Sequence, residues 1–202
     1  MDQQEQTPER WWQRFREEFA RHLNDPCKGL GEARLRTAWS KEIARTQFYG
    51  GCLLVQVAAA LGLEIRYEYG RDKIDWAMVD RTTGAPIILI ESENTIQKAG
   101  DEIPKLCRGK SPLKVLIACC VWGDMHQGSQ QTERLNEWLG IVQGLPDLRP
   151  EAAVLGLIIG EWWHPDKHEG ILTFYCHRLA LDRLAVGWLK EPELYQMYIA
   201  AR

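Results

Sequence analysis

The chain has 202 residues, 45% of them hydrophobic and 26% charged, with a formal net charge of −3. That is enough chain for one domain of ordinary size with its own core, and the charge excludes a protein drawn to nucleic acid or anionic lipid by its overall field. Any polyanion site must be a local patch. The start, MDQQEQTPERWW, shows no basic region followed by an apolar one, and the longest nearly apolar run, Gly50–Leu63, is too short to span a bilayer. The expectation is a cytoplasmic protein without a membrane segment. Six cysteines form no CxxC pair, and Cys52, Cys119 and Cys176 sit in apolar runs. They read as reduced, mostly buried thiols rather than a zinc site.

Taken in chain order, Pro8–Leu23 is a helix, because Trp11, Trp12, Phe15, Phe19 and Leu23 recur at helical spacing and Asn24-Asp25-Pro26 ends it. A second helical stretch runs from Leu35 to Leu61, with a bend or break at Gly50-Gly51 and a stop at Gly62. Three strands follow: Leu63–Gly70, Lys73–Asp80 and, after the turn RTTGA, Pro86–Glu93. The last has the continuous apolar run of a strand covered on both faces. A helix over Thr95–Cys107 contains Pro104, which predicts a kink or an early end. Pro112–Trp122 is a fourth strand, Leu135, Trp138, Leu139 and Val142 mark the inner face of a crossover helix, and AAVLGLIIGEWW and GILTFYCHRL are two more strands. A last helix is expected from Pro192 on. One helix between strands three and four implies a parallel crossover attached to an antiparallel hairpin, hence an α/β fold with a mixed central sheet flanked by helices.

The chemistry concentrates in ILIESEN, Ile88–Asn94. Alternation along a strand puts Glu91 and Glu93 on one face, and the short turn before this strand lets Asp75 of the preceding strand lie beside Glu91. Converging carboxylates raise at least one pKa or bind a hard divalent cation such as Mg²⁺ or Mn²⁺, with the Ser92 carbonyl as a backbone ligand. Such an ion activates water and neutralises charge on a phosphate.

Asp75, fifteen intervening residues, then Glu91-Ser92-Glu93 on an apolar strand, a helix and the strand LKVLIA resemble the core of the PD-(D/E)XK nuclease superfamily. The likeness covers roughly residues 42–121. It implies a restriction-endonuclease-like core, Mg²⁺-dependent hydrolysis of DNA, and a metal held by Asp75, Glu91 and Ser92, completed by Glu42 on the preceding helix. Two departures stand out: Ile74 replaces the proline before the aspartate, and Glu93 replaces the motif lysine. Glu93 would then bind a second ion or act as base. Alternatively Lys98, on the first turn of the following helix, takes the place of a migrated lysine, sharing a face with Glu102 and Lys105. Glu68, on the first strand, is a further acid that could join from the side.

Residues 98–114 add a local basic excess through Lys98, Lys105, Arg108, Lys110 and Lys114, of which Lys105, Arg108, Lys110 and Lys114 are expected to meet phosphates. His126, His177 and the HPDKHEG loop with His164, Asp166 and His168 read as structural or solvated, and Trp162-Trp163 as packing. The chain is treated as one nuclease-like domain: a helical extension over residues 1–32, the core over 33–122, and C-terminal strands and helices over 123–202. DNA is the expected partner, with a homodimer by analogy to the family. The competing expectation is a nuclease-fold protein without catalysis that serves as an interaction or assembly module.

Overall fold

A computed structural model describes residues 7–23, 32–40, 42–119, 130–145, 153–163, 170–181 and 187–199. The helices are α1 (Pro8–Leu23), α2 (Glu32–Ser40), α3 (Glu42–Phe48), α4 (Leu54–Leu61), α5 (Ile96–Arg108) and α6 (Gln130–Gln143). The strands are β1 (Leu63–Tyr69), β2 (Ile74–Asp80), β3 (Pro86–Glu93), β4 (Leu113–Cys119), β5 (Val154–Trp163), β6 (Gly170–Ala180) and β7 (Leu189–Ile199). All seven strands form one sheet whose spatial order is the chain order. The pairs β1/β2 and β2/β3 are antiparallel, β3/β4 and β4/β5 parallel, and β5/β6 and β6/β7 antiparallel again. The molecule is therefore α/β with a mixed sheet and helices on both faces. None of the described helices is long and apolar enough to cross a membrane.

The helices sort by face for a geometric reason. The steps β3→β4→β5 advance in one direction, so two right-handed crossovers place α5 and α6 on the same side. Leu89, Leu116, Leu155 and Leu157 of the strands meet Ala99, Ile103, Leu106 and Trp138 there. The other face carries Ile88, Ile90, Val115, Ile117 and Ile158 against Trp12, Phe15, Phe19, Tyr49 and Leu54. β4, covered on both sides, is buried along all its length.

Close backbone approaches set the packing. Tyr49–Leu53 is a π-helical segment between α3 and α4. A Cβ on its Gly50 would meet Trp76 Nε1 at 2.8 Å, so the missing side chain is what lets the indole of β2 lie against this helix. On β5, Gly156 and Gly160 make room for Trp12 and Trp39 in the same way. Gly62 caps α4 in the left-handed region at φ 77°, as the sequence predicts.

Two expectations change. Pro104 neither kinks α5 to a stop nor ends it early: the helix runs on to Arg108, because Ala99, Ile103 and Leu106 bury a continuous stripe around it. The expected C-terminal helix is instead β7, antiparallel to β6. Pro192 is compatible with this because it falls where the register shifts, between Glu191 (opposite Cys176) and Tyr195 (opposite Phe174), in a strand with only one neighbour.

Gly156→Ala drives a methyl into the six-membered ring of buried Trp12. The expected result is a loss of about 1–3 kcal/mol in urea unfolding, with an unchanged m-value.

Candidate active site at the end of strand three

The β2/β3 ladder runs from Val79/Pro86 to Trp76/Ile90 and stops one residue short of two carboxylates. Beyond it, side chains replace backbone acceptors. The Asp75 amide donates to Glu91 Oε1 at 3.3 Å, and the Ser92 amide donates to Asp75 Oδ2 at 3.0 Å. This reciprocal arrangement fixes Asp75 and Glu91 side by side at the strand where pairing changes from antiparallel to parallel.

Glu91 is 2% exposed, yet a positive charge is at hand: Lys105 Nζ of α5 lies 2.5 Å from Glu91 Oε1. Glu102, one turn earlier on α5, approaches the same ammonium at 3.4 Å. Burial dominates the titration of Glu91. Desolvation lifts its carboxyl from an ordinary 4.5 to about 8, Lys105 opposes this, and the Asp75 and Glu102 charges add to it. For Lys105, desolvation pulls the pKa down, but Glu91, Glu102 and Asp75 together outweigh it and leave the ammonium raised. Both partners thus hold protons more tightly than in water, and the Glu91 carboxyl keeps its proton to near pH 8 unless further positive charge arrives.

The remaining sequence candidates separate. Glu93 does not join Asp75 and Glu91: the chain bends after β3, and Glu93 Oε1 accepts the Thr95 amide at 2.7 Å at the entrance of α5. Lys98 is exposed on the first turn of α5, and the lysine on Glu91 is Lys105, about two turns further on. Lys105, expected at a phosphate, is paired here with the buried acid. Lys114 is corrected: it is 4% exposed on β4, with Nζ donating to the Ser111 carbonyl at 2.8 Å, so it is not a surface cation. Arg108 and Lys110 are exposed. Ser92 meets Asp75 through its backbone amide. Glu68 stands exposed at φ 45°, outside this cluster.

Glu42 opens α3, and its side chain lies outside the described residues, as do His126, residues 164–169 and the side chain of Trp163. One turn after Glu42, Arg45 Nε donates to Asn94 Oδ1 at 2.7 Å and the Asn94 amide donates to Thr46 Oγ1 at 3.4 Å, so α3 is tied to the same strand end. Arg45 and Glu102 are the residues the sequence reading missed. The signal for Glu102 was its helical spacing to Lys105; for Arg45, its position one turn beyond Glu42. His177 is buried beside Gln131, and desolvation followed by the Lys190 charge lowers it to about 4, which keeps it neutral near pH 7. Trp162 packs on the core.

A groove of about 500 Å³ lies elsewhere, between α1 and β7. Its two arginines, Arg16 and Arg178, are both taken by Glu191. The carboxylate pair, not that groove, holds the perturbed chemistry.

The donor set suits a hard divalent ion: two adjacent carboxylates, one of them in need of positive charge. Mg²⁺ commonly takes one or two carboxylates and keeps waters or substrate oxygens for its other positions. Among the described residues no group of three or more His, Cys, Asp or Glu side chains is arranged around a common ion position.

Glu91 gives a pH signature. Its folded pKa stands above its unfolded value, so its contribution to stability is complete below about 4.5 and is lost as pH rises through about 8. Glu91→Gln removes this loss, while Lys105 retains Glu102. In chelator-treated protein, the melting temperature of the variant relative to wild type is expected to rise between about pH 5 and pH 9, by the equivalent of a few kcal/mol. A pH-independent difference would show that Glu91 titrates normally.

Comparison with protein-family models, with curated proteins and with solved structures finds no match in any of the three.

Proposed function

We propose that this chain is a divalent-metal-dependent nuclease that hydrolyses phosphodiester bonds of DNA, built on a restriction-endonuclease-like core. The observation that carries the reading is the Asp75–Glu91 pair, locked by reciprocal amide bonds at the end of β3 and faced by Lys105 from the next helix. The order of helix, three strands, helix and strand around it supports the same reading.

Asp75 and Glu91 would hold Mg²⁺ or Mn²⁺, which supplies an acidified water and charge neutralisation at the phosphate. Glu91 would be held as a carboxylate by that charge, which opposes the burial and the Asp75 and Glu102 charges that raise it. Lys105 then has its ammonium beside the reacting centre, where it donates hydrogen bonds to a phosphoryl oxygen or to the attacking water. Glu102 holds Lys105 in place. Water forms the new bond to phosphorus, the bond to the leaving sugar oxygen breaks, and a proton passes to that oxygen. Glu93 sets the start of α5 and so the direction from which Lys105 approaches. The role of the motif lysine thus falls to Lys105, not to Lys98 or Glu93.

A second reading has its own support. Lys105 already neutralises Glu91, and no third carboxylate among the described residues completes a metal cage. A non-catalytic nuclease-fold module, binding a protein partner or a second copy of itself, would look the same at this position.

Cleavage of supercoiled plasmid and linear duplex with Mg²⁺ or Mn²⁺ separates the two. Asp75→Ala and Glu91→Ala are expected to abolish cutting, Lys105→Ala to reduce it about 10²–10⁴-fold, and Lys98→Ala to leave it within a few-fold of wild type. No cutting by wild type, together with no calorimetric Mg²⁺ or Mn²⁺ binding, would overturn the enzyme reading in favour of the module.

A further inference from the structure

A second groove, of about 340 Å³, lies beside the β1–β2 turn. Apolar Ile74 and Leu89 line it, with Tyr69 at one end and Arg71 and Lys110 as its cations. Ile74 immediately precedes Asp75 on β2 and Leu89 lies two residues before Glu91 on β3, so two of the lining residues share their strands with the carboxylate pair. We propose that this groove holds the sugar–phosphate backbone of a nucleic acid next to the scissile position, with Arg71 and Lys110 on phosphate oxygens. The proposal rests on the nuclease reading and deepens it by naming the surface that seats the substrate.

Three features of the local structure favour this. The first is charge. Arg71 and Lys110 line the groove with one acid, Asp72, and are exposed, as are Lys73 in the same turn and Arg108 at the end of α5, in a chain whose net charge is negative. Asp72 approaches Arg108 at 3.7 Å and so ties the β1–β2 turn to the end of α5 without removing either element from solvent. A basic patch against an acidic background is the local footprint that phosphate binding requires.

The second feature is backbone shape. The turn that presents Arg71 is bounded by two left-handed residues, Gly70 at φ 72° and Lys73 at φ 50°, and is closed by the Lys73 amide on the Gly70 carbonyl at 3.4 Å. A lysine in this region carries backbone strain that a glycine would not, which is the kind of outlier that concentrates at binding sites.

The third is the approach of the opposite wall. A Cβ on Gly109 would meet the tip of the Leu89 side chain, so the glycine lets the chain after α5 lie close against β3 beside Lys110. The lining also suits a nucleotide unit rather than a bare anion: Tyr69 offers a ring, half-buried beside the cations, and Ile74 and Leu89 an apolar surface. Arg71 is four residues from Asp75, at most about 14 Å along extended chain. That is about four steps of a duplex at 3.4 Å rise, so one strand can reach both.

The test separates binding from cutting. Anisotropy of a short fluorescein-labelled DNA duplex is measured in chelator over a salt series, for wild type, Arg71→Ala/Lys110→Ala, and a charge-matched control, Arg10→Ala/Arg134→Ala, on α1 and α6. Thermal melts establish that all three fold. The expected result is wild-type binding whose affinity falls with salt, at least tenfold weaker binding by the groove variant, and a slope of log affinity against log salt reduced by about two, with the control unchanged. Equal losses in groove and control variants, or no loss in either, would overturn the groove as the phosphate track while leaving the cleavage assay to decide the nuclease reading. No binding by wild type even at low salt would overturn the proposal directly. An Arg71→Ala/Lys110→Glu variant that binds like wild type would do the same.

Discussion

A carboxylate at the end of an apolar strand has to be neutralised, and the arrangement of the candidate site follows from how this chain does it. Glu91 is buried by the sheet and α5, so its charge is expensive, and Lys105 meets it at 2.5 Å. That contact requires α5 to start in a fixed direction, which Glu93 provides by taking the Thr95 amide. It requires α5 to extend past Pro104 far enough to present Lys105, which the apolar stripe on its inner face provides. It also requires Asp75 to be close without adding a second unpaired charge, which the Ser92 amide provides. Each neighbour of Glu91 is therefore placed by a local bond that can be named.

The same compensation sets how Glu91 titrates. A buried acid with one lysine partner retains its proton to near pH 8, so additional positive charge lowers its energy sharply. A structural ion pair would be better served by full ionisation on both sides. Here Lys105 is shared, with Glu91 on one side and Glu102 on the other.

Most elements could be read from the sequence because their patterns are strong: α1 from its aromatic spacing, β3 and β4 from unbroken apolar runs, the α4 stop from Gly62. Asp75 and Glu91 could be brought together because a short turn fixes the pairing of their strands. β7 was misread as a helix since its pattern is interrupted by Pro192 and by a register shift that only pairing with β6 reveals. The pairing of Lys105 with Glu91 could not be read because periodicity says which residues share a helix face but not how the helix is laid on the sheet. Lys114 was taken for a surface cation because alternation in β4 does not show that α5 and α6 cover that face, leaving the ammonium to find a carbonyl at Ser111. Arg71 attracted no attention, since a turn arginine acquires meaning only once Gly109 brings Lys110 opposite it.

The order of the strands has a consequence for how the charged centre is assembled. Every strand lies next to its neighbour in sequence, so no pairing in the sheet waits for a distant segment. Asp75, Glu91, Glu102 and Lys105 all belong to one continuous stretch of hairpin, strand and crossover helix. Closing that stretch costs little loop entropy, and its contacts form at short sequence separation. The flanking helices and the β5–β7 meander then add burial to a constellation already defined by local chain. The centre is thus inherited as a single segment of sequence, and changes elsewhere in the fold act on its depth and rigidity more than on its geometry.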